Sequence, residues 1–226
     1  MLTKIITPSG GMAILFPRER ISERDPFPSP VAMLSAPIAH PYNSIEALLA
    51  VRKSGIVAPM IRTGIGYDSH RLTEGRRLVI GGVAIPHCCG LAGHSDADVL
   101  IHALCDALLG AVADGDIGQH FSDRDAQWKD ADSTLLLRRV SDRLMQAGWR
   151  ILNTDATVVA EAPRLAPYVP AMRARLAEVM GIEPSRVSVK AKSNEGMDAV
   201  GRREGIVAMA VATVCRTSAT HLSGDQ

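Results

Sequence analysis

Eight of the thirteen prolines in this 226-residue chain precede Met60. The PFPSP run at 26–30 cannot lie inside a helix or a central strand, because each proline fixes φ and lacks a backbone N–H. Residues 1–60 are therefore expected to be poorly ordered, with only SIEALLAVRK at 44–53 patterned for a short helix. Regular patterning starts abruptly at Met60, so the working polypeptide is read as beginning at that methionine, with an extension or a misplaced start upstream. The expected organisation is an extension over 1–60, a domain over 61–216 and a flexible tail over 217–226.

Charge narrows the class of partner. With 25 basic and 24 acidic residues, no broad field draws in nucleic acid or an anionic membrane surface, so any anion must be bound locally. The longest apolar stretches, such as Val99 to Leu104, are interrupted by His102 and are too short to span a bilayer. Cys88, Cys89, Cys105 and Cys215 show neither paired C-x-x-C spacing nor the density of a disulfide scaffold, which indicates a reducing compartment. The first sixteen residues lack an unbroken apolar run, so no signal peptide is expected. The reading is cytoplasmic, with a plastid-type compartment as the alternative that the extension leaves open.

Beyond Met60, IRTGIGYDSH and RLVIGGVAI read as strands, the second stopped by Pro86. Ser95 to Ala113 reads as a helix, capped by Ser95 in an S-x-x-D box closed by Asp98. Asp132 or Ser133 caps a second helix, and a third carries Met172, Leu176, Val179 and Met180 up to Gly181. Strands are expected at about 151–160, at RVSVKAK and at IVAMAVATVC. Elements interspersed without strict β-α alternation predict an α+β fold, with helices on one face of a mixed sheet in a single compact domain.

Within that frame, alternate strand residues share a face, so Asp68 and His70 can converge on one ion. His102, set among apolar helical neighbours, is the third candidate. One Asp and two His with a position left open suit zinc acting as a Lewis acid. Asp98 and Asp106, four residues to either side of His102, are candidates to hold its second ring nitrogen. Spacing alone is a weak signal, since strand-end Asp-x-His pairs also occur as plain surface features.

Longer motifs are more specific. IGYDSHRL, LVIGGVAIP, LAGHSDADVLIHALCDALLGAVADGDIGQHF, STLLLRR, APRLAPY and VGRREGI, in this order over about Ile61 to Cys215, resemble the 2-C-methyl-D-erythritol 2,4-cyclodiphosphate synthase family of the non-mevalonate isoprenoid pathway. The resemblance implies zinc held by Asp68, His70 and His102, and Mg²⁺ or Mn²⁺ bridging substrate phosphates with help from Glu195. It implies substrate contacts at Asp68, Ser69, His70, His94 and Ser95, with His94 and Ser95 meeting a phosphate and His94 stabilising the transition state. Asp116, Ile117, Gly118 and the FSDRD segment, Phe121, Ser122, Asp123, Arg124 and Asp125, match loops that hold the methylerythritol moiety. Ala160, Glu161, Ala162, Pro163, Arg164, Leu165 and Ala166 match the cytosine and ribose pocket. Lys192, Ser193, Asn194 and Glu195 match the segment that grips the cytidine diphosphate phosphates, Ser193 keeping a catalytic hydroxyl.

Two departures stand out: Lys192 and Asn194 replace part of a threonine-rich stretch, and Ala199 occupies a phenylalanine position, although Arg202 and Glu204 persist. The resemblance also implies a homotrimer with active sites shared between subunits, and an isoprenoid diphosphate on the threefold axis that Arg202 could meet. Two rivals are a zinc-dependent hydrolase and a non-catalytic trimer that binds CMP or an isoprenoid diphosphate. No H-E-x-x-H supplies the general base that a zincin-like hydrolase would use.

Overall fold

The computed structural model describes residues 59–216, together with the backbone of two short strands, β1 (Lys4–Ile6) and β2 (Met12–Ile14). The chain divides into two compact units, Met1–Ile56 and Val57–Gln226. In the first, β1 and β2 pair antiparallel with Lys4 opposite Ile14. The helix expected at 44–53 and the tail at 217–226 lie outside the described residues.

The second unit is organised around one long strand, β3 (Met60–Glu74). It is followed by β4 (Leu78–Ile80), β5 (Val83–Ile85), β6 (Cys89–Leu91), β7 (Arg150–Val159), β8 (Val187–Lys192) and β9 (Gly205–Arg216). Five of these form a sheet in the order β6-β3-β9-β7-β8. Only β7 and β8 run parallel, so the sheet is mixed as expected. A parallel pair needs a crossover, and here it is the helix Val169–Met180, which packs on β8.

The helices are α1 (Val99–Ala111), α2 (Ile117–His120), α3 (Ser133–Gln146), α4 (Val169–Met180) and α5 (Asp198–Gly201). Ten of the thirteen residues of α1 are buried, which marks it as the central core helix, lying on β3 and β9 with α3 packed behind it. Gly64 and Gly66 make that contact possible. A Cβ at Gly66 would sit 1.9 Å from the Ala103 carbonyl oxygen, and one at Gly64 would sit 2.1 Å from that of Ala107. The opposite face of the strand is apolar and open, with Ile65 at 74% and Tyr67 at 59% exposure.

Two boundaries differ from expectation. RLVIGGVAI is a hairpin rather than one strand: Gly81 and Gly82 have φ of 62° and 71°, the pair of left-handed residues that a tight two-residue turn requires, and β4 folds back on β5. The first helix begins at Val99, capped by Asp98 and not by Ser95. Tertiary structure decides this, because the fully buried Asp98 carboxylate accepts the N–H groups of Gly81 (2.9 Å), Gly82 (2.7 Å) and Ile101 (3.1 Å). One side chain thus ties the hairpin turn to the helix start.

Candidate metal centre

Because side chains alternate along a strand, residues 64, 66, 68 and 70 of β3 share the face turned to α1. The helix runs against the strand direction: Ala107 lies over Gly64, Ala103 over Gly66 and His102 beside Asp68. The two glycines let α1 lie flush on the strand, and the next two residues on that face are Asp68 and His70. His102 therefore arrives opposite a carboxylate and an imidazole.

Three ligand atoms meet there. Asp68 Oδ2 lies 2.9 Å from His70 Nε2 and 3.0 Å from His102 Nδ1, and the two ring nitrogens are 3.2 Å apart. Bonds of about 2.0–2.1 Å at tetrahedral angles give donor-to-donor edges of about 3.3 Å, so the triangle is close to that of one face of a zinc-like site. His70 Nδ1 donates to the Ala92 carbonyl at 2.7 Å, which leaves the Nε2 lone pair directed at the cluster. Ala92 is held in turn by its own N–H donating to Arg71 O at 2.8 Å. Asp68 Oδ1 accepts the Ser69 N–H at 2.9 Å, so Oδ2 is the oxygen presented inward.

Charge follows this geometry. Burial opposes ionisation of Asp68, yet hydrogen bonds and charge from His102 and His70 together hold its carboxyl well below the usual carboxylate range. Burial also opposes protonation of His70, but its hydrogen bond to Asp68 and that carboxylate's charge hold it above the ordinary imidazole value. A cation is what this arrangement attracts. The three residues are the group among the described residues whose donor atoms could hold a metal ion, and an oxygen-plus-two-nitrogen set fits a borderline divalent ion such as zinc.

The family profile described as the YgbB family matches residues 61–215, which contain all three candidate ligands. This chain belongs to the YgbB family. A relative from Syntrophomonas wolfei, 2-C-methyl-D-erythritol 2,4-cyclodiphosphate synthase, is 60% identical over 154 residues, 68% of this chain and 98% of the relative. The bifunctional IspDF from Campylobacter jejuni superposes with a TM-score of 0.69 at 36% identity, over 72% of this chain and 44% of that one. The CDP complex of IspF from Plasmodium falciparum superposes with a TM-score of 0.62 at 28% identity, over 72% of this chain and all of that one (100%).

Elsewhere in this YgbB-family chain, the expected site residues fall into separate groups. His94 Nε2 lies 3.2 Å from the Asp125 carbonyl oxygen, which brings the 94–95 turn to the FSDRD loop. Asp116 caps α2, taking the Gln119 N–H at 2.9 Å and its side-chain amide at 2.8 Å, while Ile117 N donates to Asp106 at 2.8 Å. Phe121 stacks edge-on against Trp128 at 5.1 Å, and Ser122 Oγ accepts the Arg124 N–H. Asp123, Arg124 and Asp125 are exposed, although Asp125 is engaged by the backbone and side chain of Gln127.

Residues 160–161, 163–166 and 191–193 line a common cavity of about 460 Å³, to which Ala162 does not contribute. Glu161 Oε2 accepts the N–H groups of Asn194 (3.2 Å) and Gly196 (3.4 Å), so it shapes the following loop. Asn194 and Ala199 line a second cavity of about 640 Å³ with Ser69 and His70. Glu195 stands outside the three-ligand cluster, its Oε1 accepting from Ser193 Oγ at 2.5 Å. Arg202 pairs with Glu204 at 2.7 Å.

The expected holders of the second His102 nitrogen are corrected. Asp98 is spent on the backbone of Gly81, Gly82 and Ile101, and Asp106 on Ile117. His102 Nε2 instead faces Ser133 Oγ at 3.0 Å and Ser95 Oγ at 3.2 Å. Ser133 lies 31 residues downstream, and no local spacing signals that contact. Ser95 is buried, with its hydroxyl also accepting the Ala97 N–H at 3.1 Å.

Proposed function

We propose that this chain converts 4-diphosphocytidyl-2-C-methyl-D-erythritol 2-phosphate to 2-C-methyl-D-erythritol 2,4-cyclodiphosphate and CMP. The observation that carries the reading is the convergence of Asp68, His70 and His102 within 3.2 Å of one another in a chain that the YgbB profile matches over 61–215. An oxygen of the substrate's own 2-phosphate forms the new bond to the β-phosphorus. The bond from that phosphorus to the α-phosphate oxygen breaks, and CMP leaves with the electron pair. The protein supplies no covalent nucleophile; positioning and charge neutralisation are its contribution.

Asp68, His70 and His102 would hold zinc, whose charge offsets that of the phosphate oxygens when it is bound. Glu195 would help hold Mg²⁺ or Mn²⁺, whose charge would offset that of the diphosphate. His94 would stabilise the transferring phosphate, Ser193 would contact the diphosphate, and the 160–166 pocket would receive the cytidine. The cavity shared by Glu161 and Pro163 to Ala166 with Lys192 and Ser193 supports that last assignment, because it joins the two segments on which a cytidine diphosphate would lie. Asp116 and the Phe121 to Asp125 loop would hold the methylerythritol hydroxyls.

A homotrimer is the expected assembly, with β3 and β9 facing the axis. Its support is the apolar stripe Ile61, Ile65, Tyr67, Met209 and Val211, each at least 38% exposed in the single chain. Action in the cytoplasm accords with the free cysteines, and no described helix is long and apolar enough to cross a membrane.

Phosphorus NMR of purified protein with the diphosphocytidyl substrate, Zn²⁺ and Mg²⁺ tests the reading. Cyclic diphosphate and CMP in equal amounts are expected. CMP with the open-chain 2,4-bisphosphate would establish hydrolysis, and CMP binding without turnover would establish a binding protein; either outcome overturns the proposal.

A further inference from the structure

His102 presents Nδ1 to the cluster, so its other nitrogen decides which tautomer is available for a metal. A neutral imidazole carries one N–H and one lone pair, and only the lone pair can ligate. The hydroxyl nearest to Nε2 is that of Ser133, at 3.0 Å on a fully buried side chain. Its single hydrogen is already committed, because Ser133 Oγ donates to Asp96 Oδ1. Asp96 is held as an acceptor on both oxygens: Oδ1 also takes the Asp98 N–H at 3.3 Å, and Oδ2 takes the Ser133 N–H at 3.2 Å.

Ser133 Oγ therefore has only lone pairs left for His102. An Nε2–H satisfies it, whereas a bare Nε2 would set two lone pairs against each other at 3.0 Å. The rest of the network agrees. Ser95 Oγ lies 3.4 Å from Ser133 Oγ, so its own hydrogen has an acceptor there. Backbone bonds from Asp96 N to Ala131 O (3.0 Å) and from Asp130 N to His94 O (2.8 Å) fasten the turn that carries Asp96 to the start of α3.

We propose that Asp96 and Ser133 form a proton-ordering relay that holds His102 in the Nε2–H tautomer and so keeps Nδ1 free as a metal ligand. Both are positioning residues, and the inference rests on the metal site assigned under Proposed function. Asp96 acts at one remove, by directing the hydrogen of Ser133 away from the ring.

Asp96→Asn is the informative variant, since it is nearly isosteric. Its amide can donate to Ser133 Oγ, which releases the Ser133 hydrogen to point at Nε2 and favours the wrong tautomer. Ser133→Ala removes the acceptor without adding volume. Zinc affinity, measured by chelator competition on the purified full chain, is expected to fall about 10- to 100-fold in each, the range for partners that orient metal-bound histidines. In the zinc-loaded proteins, the His102 Nε2 proton should exchange with solvent faster in D96N than in wild type by NMR.

Thermal unfolding of the metal-free variants separates lost orientation from lost fold. A D96N or S133A protein that melts like the wild type and binds zinc within about twofold of it overturns the relay. Zinc binding is read independently of turnover. If the wild type binds zinc and makes no cyclic product, the proposed reaction fails while the relay stands.

Discussion

At the scale of single residues, His102 is the candidate ligand on which the cluster depends, because it alone comes from a second element. Replacing it with alanine should remove zinc and turnover together. Elemental analysis after dialysis is expected to show loss of the bound metal, a larger effect than the roughly 10- to 100-fold that outer partners contribute. Full metal content in H102A would remove His102 from the ligand set.

The convergence of these three residues is legible in the sequence because they obey local rules: alternation places Asp68 beside His70, and an imidazole among apolar helical residues needs a polar partner. Their supports were not legible in the same way. Ser133 and the Ala92 carbonyl reach the ring nitrogens from 31 and 22 residues away, and both contacts are set by how loops close over the sheet. Asp98 and Asp106 were credible candidates on spacing alone, yet backbone N–H groups from other elements claim them first.

Among the secondary-structure elements, the contact between β3 and α1 carries the site. Gly66→Ala would press a methyl group against the Ala103 carbonyl, a backbone atom that can move only with its helix. Overpacking typically costs about 1–3 kcal/mol, and this collision belongs at or above the top of that range. Chemical denaturation should show the loss, with zinc affinity falling as well because α1 carries His102.

Asp98, which anchors the same helix, gives a pH signature. Burial and the nearby Asp96 carboxylate push its carboxyl up to about 6, against three backbone N–H groups that favour the charged form. The folded value lies above the ordinary carboxylate value of about 3.9, so the folded chain binds this proton more tightly than the unfolded one. Its contribution to stability is fully present below about pH 4, declines as pH rises through 6 and is flat beyond, a change on the order of 1–3 kcal/mol. The difference in stability between wild type and Asp98→Asn should follow that slope in urea titrations between pH 4 and 8. A difference independent of pH would show that Asp98 does not titrate in this window.

Element identity was largely readable from hydrophobic periodicity, as the match of α4 to its apolar spacing up to the left-handed Gly181 shows. The two boundary errors arose where one side chain served two elements. Nothing near Asp98 in the sequence reveals that it would hold the Gly81-Gly82 turn, so Ser95 looked like the better cap and the hairpin looked like a strand.

For the molecule as a whole, the exposed stripe on β3 and β9 predicts self-association through the face opposite α1. Ile65→Glu should convert the expected trimer to monomer in analytical ultracentrifugation, since three like charges would be brought to the axis of a buried interface. An unchanged sedimentation coefficient would place the interface elsewhere. Removal of residues 1–59 should leave folding and turnover of the remaining chain nearly unchanged, because β3 and its partners lie within the Val57–Gln226 unit. Loss of soluble protein on that deletion would assign the extension a structural part.

The pleat of β3 has an evolutionary consequence. Even-numbered residues from Gly64 to His70 face the helix and the candidate metal centre, while Ile65 and Tyr67 between them face outward. Insertion or deletion of a single residue upstream of Asp68 within this strand would exchange the two sides, burying Ile65 and Tyr67 under α1 and turning the candidate ligands away from His102. Length variation should therefore be tolerated in the loops that flank the strand and purged from within it.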